Sequence, residues 1–514
     1  MSGGIERIGS GVGRRGLLSV AATRRLEVRG GAGLDPFALM ARAGDAVARL
    51  AVALAPHAER VRVYAGPGHN GGDGIEAAVR LRELGKHATV LLVDAAAQPP
   101  ALVGQALARG AQAGVPVRTF GASSGSTDDE APDLVIDALL GIGASRAPSG
   151  AMSAAIAAIA ELSSAGARVL AIDAPSGLDA DRGQPLGASC VSAHDTLTLL
   201  TLKPGLFTAA GRDHAGEVWF SDLGVDIGTE PAEAWLCGAR DPSLQRLSRR
   251  HAQHKGSFGD VAVVGGGRGM AGAAWLAARA ALAAGAGRVF VDALDPDAAA
   301  ASLDPVRPEL MFRPGWWQGP VDALAGSTVV CGCGAGDAVR AALPRLLSSA
   351  SRLVLDADAL TALATDAALR TLSVARSVRR LATILTPHPL EAARLLGSTT
   401  AEVQADRVRS AQAIADGYGA VTVLKGSGTV IAAPGQVARI AAPGNASLAS
   451  AGTGDVLAGW IGGRWSSSSA GGAVEAVDVA TRCVIEHGLA AEPEQPGLIR
   501  AADLVEALYR NSRA

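Results

Sequence analysis

Aromatic side chains make up only 3% of this 514-residue chain, although apolar residues reach 48%. Its cores must then be filled largely by small residues, which suits α/β layers whose helices lie close on a sheet. Lysine is scarcer still, with Lys86, Lys203, Lys255 and Lys425 among 47 basic residues. A chain so biased to arginine keeps lysine where a compact ammonium is needed. Lys86, at the end of a predicted helix, reads as chance survival, whereas the other three lie inside motifs. Five cysteines form no CxxC pair and no disulfide framework, which reads as a reduced cytoplasm. Cys331 and Cys333 sit in an apolar, strand-like run and read as small buried side chains, not zinc ligands. A formal charge of −2 lacks the basic excess of a nucleic-acid binder, and no acidic run resembles a solvating tail. There is no apolar signal core, and charge interrupts every Ala-rich stretch, so neither a leader nor a membrane span is expected. The expectation is a soluble, cytoplasmic protein with no membrane or nucleic-acid partner and more than one core.

What is present is strand–helix alternation. Strands are predicted over residues 61–64, 88–93, 133–140, 168–172, 196–202 and 217–220, with a helix over 75–84 ended by Gly85. A second series follows, with strands at 260–264, 288–291, 328–330, 352–355 and 383–385, a helix over 272–284 and a hairpin over 421–440. This pattern predicts two parallel sheets covered on both faces. Residues 1–20, rich in Gly and Arg, are expected to be disordered. The domains are expected at 21–226 and 250–514, with a polar linker at 227–249 and a surface loop at 467–472. No short-period repeat is visible.

In the first half, Ala-Gly-Pro-Gly-His-Asn-Gly-Gly-Asp-Gly (65–74) follows a strand and opens a helix. Such a loop brings backbone close to a ligand, and the helix start offers N–H donors to phosphate. Its spacing is not GxGxxG. Asp-Ala-Leu-Leu-Gly-Ile-Gly (137–143) and Ala-Ile-Asp-Ala-Pro-Ser-Gly-Leu-Asp-Ala (171–180) place Asp137, Asp173, Ser176 and Asp179 at the ends of two further strands. Ligands of open α/β sheets collect there, so the loops should converge. Together with Lys203-Pro-Gly205, these segments resemble the NAD(P)HX epimerase family over roughly residues 20–226. The resemblance implies a Rossmann-like fold that interconverts the R and S epimers of hydrated NAD(P)H, with bound potassium. It implies Asn70, Asp137 and Ser176 as potassium ligands. His69, Asn70, Gly71, Gly72 and Asp73, with Gly141, Ile142, Gly143, Ala144, Ser145, Arg146 and Ala147, would hold the hydrate, and Asp173 would bind it and work at the reacting centre. His69 stands where the family often has asparagine. Lys203 is left with two readings, a phosphate contact or a strand cap.

In the second half, His-Lys-Gly-Ser-Phe-Gly (254–259) leads into a strand ending in Gly265-Gly-Gly267, and Gly-Met-Ala-Gly-Ala-Ala (269–274) opens a helix. Asp-Ala-Asp-Ala-Leu (356–360) and Thr-Pro-His-Pro-Leu-Glu (386–391) follow strands, and Lys-Gly-Ser-Gly-Thr (425–429) lies at the hairpin turn. Gly452-Thr-Gly-Asp455 then starts a helix. Its successive N–H groups form an anion hole, with Asp455 placed to take a proton from an attacking hydroxyl. These motifs resemble the ribokinase-like superfamily and, within it, the ADP-dependent NAD(P)HX dehydratases, over roughly residues 253–508. The resemblance implies that Ala273, Gly334, His388 and Asp455 contact the hydrate. It assigns Lys425, Gly426, Ser427, Gly428, Thr429 and Gly454 to the ADP or AMP, with Mg²⁺ accompanying ADP, and a homo-oligomer. Leu390 replaces the usual glycine of this family's TPHPGE. The alternatives are a vitamin-precursor or sugar kinase with an inert partner domain, or a first domain that serves only as a binding scaffold.

Overall fold

The computed structural model describes residues 4–94, 98–121, 130–226, 228–244, 250–295, 297, 303–468, 473–492 and 497–513. The chain divides into two compact units, Gly16–Glu233 with residues 1–9, and Ala234–Ala514 with Ser10–Arg15.

The first unit is built on a sheet in which Arg60–Ala65 is paired on both sides. On one side lie His87–Leu92 and Val117–Thr119. On the other lie Leu134–Ala138, Arg168–Ile172, Asp195–Leu199 and Glu217–Ser221, all parallel. The chain reverses its winding at Arg60–Ala65, so a crevice opens between the carboxyl ends of that strand and Leu134–Ala138. The strands are apolar on both faces, as sheets covered by helices on both sides require. Gly66 is essential here. A Cβ on it would stand 1.9 Å from the Leu139 carbonyl oxygen, so only glycine lets the two loops at the crevice touch.

The second unit carries a longer sheet in the order Met311–Phe312, Arg288–Ala293, Asp260–Gly265, Ser327–Cys331, Arg352–Leu355, Ala382–Leu385, Val421–Leu424, Val430–Ala432, Ala438–Ala441 and Ala234–Cys237. It is parallel as far as Val421–Leu424, and the next two strands are antiparallel. The predicted hairpin is therefore a three-stranded meander.

Two expectations need correction. Residues 5–8 are not disordered, because Ile5–Ile8 pairs antiparallel with Glu217–Ser221 as an edge strand. Residues 10–15 are fixed too, with Arg14 bridging Asp241 through two bonds of 2.9 Å. Nor is 227–249 wholly a linker, since Ala234–Cys237 pairs parallel with Ala438–Ala441 inside the second sheet. Residues 1–3, 227, 245–249 and most of the expected 467–472 loop lie outside the described residues.

Scarce aromatics are compensated by close backbone packing. The Thr453–Ser466 helix lies directly on the Ala271–Ala283 helix, where Ala277, Ala278, Ala280 and Ala281 are fully buried. Trp460 and Trp465 fill the remaining volume, and Trp460 Nε1 donates to Glu486 at 2.7 Å. No helix among the described residues is long and apolar enough to cross a membrane.

A Cβ on Gly459 would stand 2.0 Å from the Ala277 carbonyl oxygen, whereas one on Gly272 meets nothing within 4 Å. Gly459→Ala is expected to lower the unfolding free energy by about 1–3 kcal/mol through overpacking. Gly272→Ala is expected to be neutral or to stabilise by up to about 1 kcal/mol. Denaturant unfolding of both variants checks the contrast, and equal effects would contradict the packing account.

Candidate functional site

Each unit gathers its chemistry at the carboxyl ends of its parallel strands. In the first, a cavity of about 510 Å³ is lined by His69, Asn70 and Asp73 from the His69–Glu83 helix and by Gly141, Ile142, Gly143 and Ala144. Asp173 closes its floor, while Thr23, Arg24 and Glu27 of the Val20–Gly31 helix face it from another side. Most of the predicted residues thus meet. Gly71 and Gly72 are instead buried under the helix start, and Ser145, Arg146 and Ala147 are exposed and outside the lining.

Asp173 holds a left-handed backbone angle, φ 66°, rare for a residue with a Cβ and a conformation that clusters at functional sites. Its Oδ1 accepts from Lys203 Nζ at 2.5 Å and from the Leu199 N–H at 3.0 Å. Lys203 is 0% exposed, and its Nζ also donates to the Leu199 carbonyl at 2.7 Å and the Thr198 hydroxyl at 3.1 Å. All three ammonium N–H bonds are then used. Lys203 is therefore neither a phosphate contact nor a strand cap, but the fixed cation of Asp173. The pair is separated by 30 residues of sequence, and only the Lys-Pro-Gly motif pointed to it.

Asp137 lies behind the cavity, fully buried. Its oxygens accept from the Ser176 hydroxyl at 2.6 Å, the Ser176 N–H at 2.8 Å and the Leu139 N–H at 3.2 Å. Burial still pushes its carboxyl up to about 6, because these partners are neutral. Asn70 Nδ2 is buried beside the Gly141 loop without a hydrogen-bond partner.

In the second unit, Asp455 sits in the first turn of Thr453–Ser466, after Gly452 at φ 89°. Cys333, Asp356 and Asp455 offer side-chain atoms all within 4.8 Å of one another. The Cys333 thiol hydrogen-bonds to Asp455, and burial with nearby Asp356 raises the Asp455 carboxyl to about 6. Cys331 and Cys333 are buried, as expected, but Cys333 turned out to touch the predicted base. Lys425 Nζ donates to Asp356 Oδ1 at 2.7 Å, and Thr386 donates to the same oxygen at 2.8 Å. A Cβ on Gly454 would lie 3.1 Å from Lys425 Nζ, so the ammonium faces the helix start directly.

The remaining predicted residues surround this centre. Gly334, at φ 56°, adjoins Ala273, whose Cβ would be 2.8 Å from any Cβ placed on the glycine. The Pro387 carbonyl accepts from the Lys425 N–H at 2.9 Å, which draws in the loop of His388. His388 caps the Pro389–Leu396 helix through its Nδ1, and Glu391 returns a bond to the His388 N–H at 2.8 Å. Leu390 is compatible with this box, since its N–H is the donor to His388. The Gly426, Ser427, Gly428 and Thr429 turn is held from below by Arg407, which donates to the Leu424 and Lys425 carbonyls at 3.1 and 3.2 Å. Arg407 and the buried His487, which hydrogen-bonds the Thr453 carbonyl at 3.0 Å, carry no sequence signal and were missed.

Comparison with known proteins gives a family match for each unit. Residues 36–205 match the family of YjeF-related protein N-termini, and residues 261–508 match the NAD(P)H-hydrate dehydratase family. The chain is 35% identical over 475 residues to the bifunctional NAD(P)H-hydrate repair enzyme Nnr of Escherichia coli, covering 90% of this chain and 85% of the relative. It is also 35% identical over 441 residues to the enzyme of that name from Coxiella burnetii, covering 84% and 86%. The ADP/ATP-dependent NAD(P)H-hydrate dehydratase of Bacillus subtilis, co-crystallised with ATP and Mg²⁺, aligns at 29% identity with a TM-score of 0.43, covering 52% of this chain and 93% of that one. At this identity and coverage, the chain belongs to the family of bifunctional NAD(P)H-hydrate repair enzymes.

Proposed function

We propose that this chain restores hydrated NADH and NADPH. Its first unit interconverts the R and S hydrates, and its second dehydrates the S form at the expense of ADP, giving AMP and phosphate. The observation that carries the reading is the meeting of Asp455, Lys425 and the Gly454 backbone at one helix start. A carboxylate there takes the proton of the ring hydroxyl as it attacks the terminal phosphate. The ammonium and the N–H groups of residues 452–454 stabilise the charge on the transferred phosphoryl group. The phosphorylated hydroxyl then leaves as phosphate, driven by the ring nitrogen, and the adjacent ring carbon sheds a proton to solvent as the pair of that carbon–hydrogen bond restores the ring double bond. Ala273, Gly334 and His388 are assigned to the hydrate, and the 425–429 turn to the adenine nucleotide.

Magnesium in such sites is held largely by the phosphates of the nucleotide it accompanies, with one or two carboxylates. Asp356 Oδ2, which neither Lys425 nor Thr386 engages, is a carboxylate oxygen of the right hardness. In the first unit, Asn70, Asp137 and Ser176 fit a potassium ion. They form a hard donor set with one negative charge, and that charge is buried with no cationic side chain paired to it among the described residues. The unpartnered Asn70 amide supports this, because turning the amide over presents its oxygen. Such an ion would supply a fixed positive charge beside the loops that hold the hydrate. Asp173, held by Lys203, works at the reacting carbon.

The test mixes the enzyme, ADP and Mg²⁺ with equilibrated hydrate epimers of NADPH and follows the dihydronicotinamide absorbance. Wild type is expected to recover all of it, and Asp173→Asn to stall once the S epimer is spent. Phosphorylation of another small molecule without recovery would refute the reading. A second expectation concerns pH. Asp455 must be ionised to accept the proton and its carboxyl is raised to about 6, so dehydration should fall about tenfold per unit below pH 6. The pH profile of kcat/KM for the S epimer checks this, and Asp455→Asn should lower kcat by roughly 100-fold or more.

A further inference from the structure

Asp73 occupies the first turns of the His69–Glu83 helix and faces the same cavity as Asp173. Among the described residues no hydrogen-bond donor and no ion-pair partner reaches its carboxyl. The charged groups that line the cavity with it are Arg24 and Glu27 from the Val20–Gly31 helix, Asp173 at the sheet end, and the titratable His69 on its own helix. Burial raises its carboxyl well above the usual range, and the charges of Asp173 and Glu27 push the same way. Asp173 is in the opposite condition, with an ammonium at 2.5 Å and a backbone N–H at 3.0 Å on one oxygen. Two carboxyls in one cavity, one supplied with a cation and one deprived of every partner, divide into base and acid.

We infer that Asp73 is the acid of the epimerisation and gives its proton to the hydroxyl on the hydrated ring carbon. The inference rests on the epimerase reading above. As the proton arrives, the carbon–oxygen bond breaks with its electron pair on oxygen, and water departs. The lone pair of the ring nitrogen forms a carbon–nitrogen double bond to the same carbon. Water then adds from the other face, the double-bond pair returns to nitrogen, and the proton shed by the added water passes to Asp173. Asp173 and Asp73 re-equilibrate their protons through solvent in the cavity, and the reverse inversion runs the same steps backwards.

The experiment measures inversion of the separate R and S hydrates of NADPH in ¹⁸O-water by wild type, Asp73→Asn and Asp73→Glu, against an enzyme-free blank. Wild type is expected to place one solvent oxygen in each inverted molecule. Asp73→Asn should lower kcat roughly 100-fold with KM within about threefold, and Asp73→Glu should restore part of kcat. A change confined to KM, or inversion without solvent oxygen, would overturn the inference, because Asp73 would then only bind or the ring would open instead. If Asp73→Asn does not fold, the isotope result on wild type decides. Failure of wild type itself to invert the hydrates would strike the epimerase reading, a different result from wild-type inversion that Asp73→Asn leaves unchanged.

Discussion

Lys203 has no exposed surface, so its charge must be met inside the protein. A buried ammonium without partners is costly, and removing one partner of a buried pair costs about 3–5 kcal/mol. Here all three N–H bonds are satisfied, by Asp173, Thr198 and Leu199, and each of these lies just beyond or at the end of a parallel strand. The pair therefore locks the ends of Arg168–Ile172 and Asp195–Leu199 together and fixes the Asp173 carboxylate toward the cavity. The left-handed backbone of Asp173 is tolerable because these contacts hold it. An arginine could not take this place, since its planar five-donor fork needs more room and more acceptors than the three available. That explains why an arginine-rich chain keeps lysine here.

The second unit uses the same device differently. Lys425 bonds Asp356 Oδ1, which Thr386 also bonds, so the ends of three neighbouring strands are tied at one oxygen. Asp455 sits nearby with a raised carboxyl and a thiol for its neighbour. In both units one carboxylate is anchored by lysine and a second is left under-solvated. Burial and a neighbouring carboxylate raise the proton affinity of the under-solvated one in each unit.

Much of this was legible because glycine loops that end strands are local signals. The strand–loop–helix order around 60–74 and 449–459 follows from residues close in sequence, and the parallel sheet places such loops on one edge. The partners of those loops were not legible. Lys203 meets Asp173 across two strands, and Cys333 meets Asp455 across more than a hundred residues, contacts that no periodicity encodes. Arg407 supports the 425–429 turn from a helix whose pattern looks ordinary. The N-terminal error has the same origin. Ile-Glu-Arg-Ile is too short and too polar to announce a strand, and it becomes one only because Glu217–Ser221 offers it an open edge. The Ala234–Cys237 strand is likewise defined by its neighbour Ala438–Ala441, not by its own four residues.

Inversion and elimination ask opposite things of the ring hydroxyl, and the two lysines reflect that difference. An epimerase must leave the hydroxyl on the ring carbon when it has finished, so no phosphoryl group should be drawn in. Lys203 suits this, because its N–H bonds are exhausted within the protein and none is left for phosphate. A dehydratase must make departure irreversible, which a phosphoryl group does. Lys425 gives one N–H to Asp356 and presents its head to the Gly454 helix start, with no other hydrogen-bond partner among the described residues. Its remaining donors are directed where transferred phosphate would carry charge. The same residue type at the same end of a parallel sheet is thus closed in one unit and open in the other. Under the function proposed above, the number of ammonium donors left unspent is what distinguishes a site that returns the hydroxyl from one that discards it.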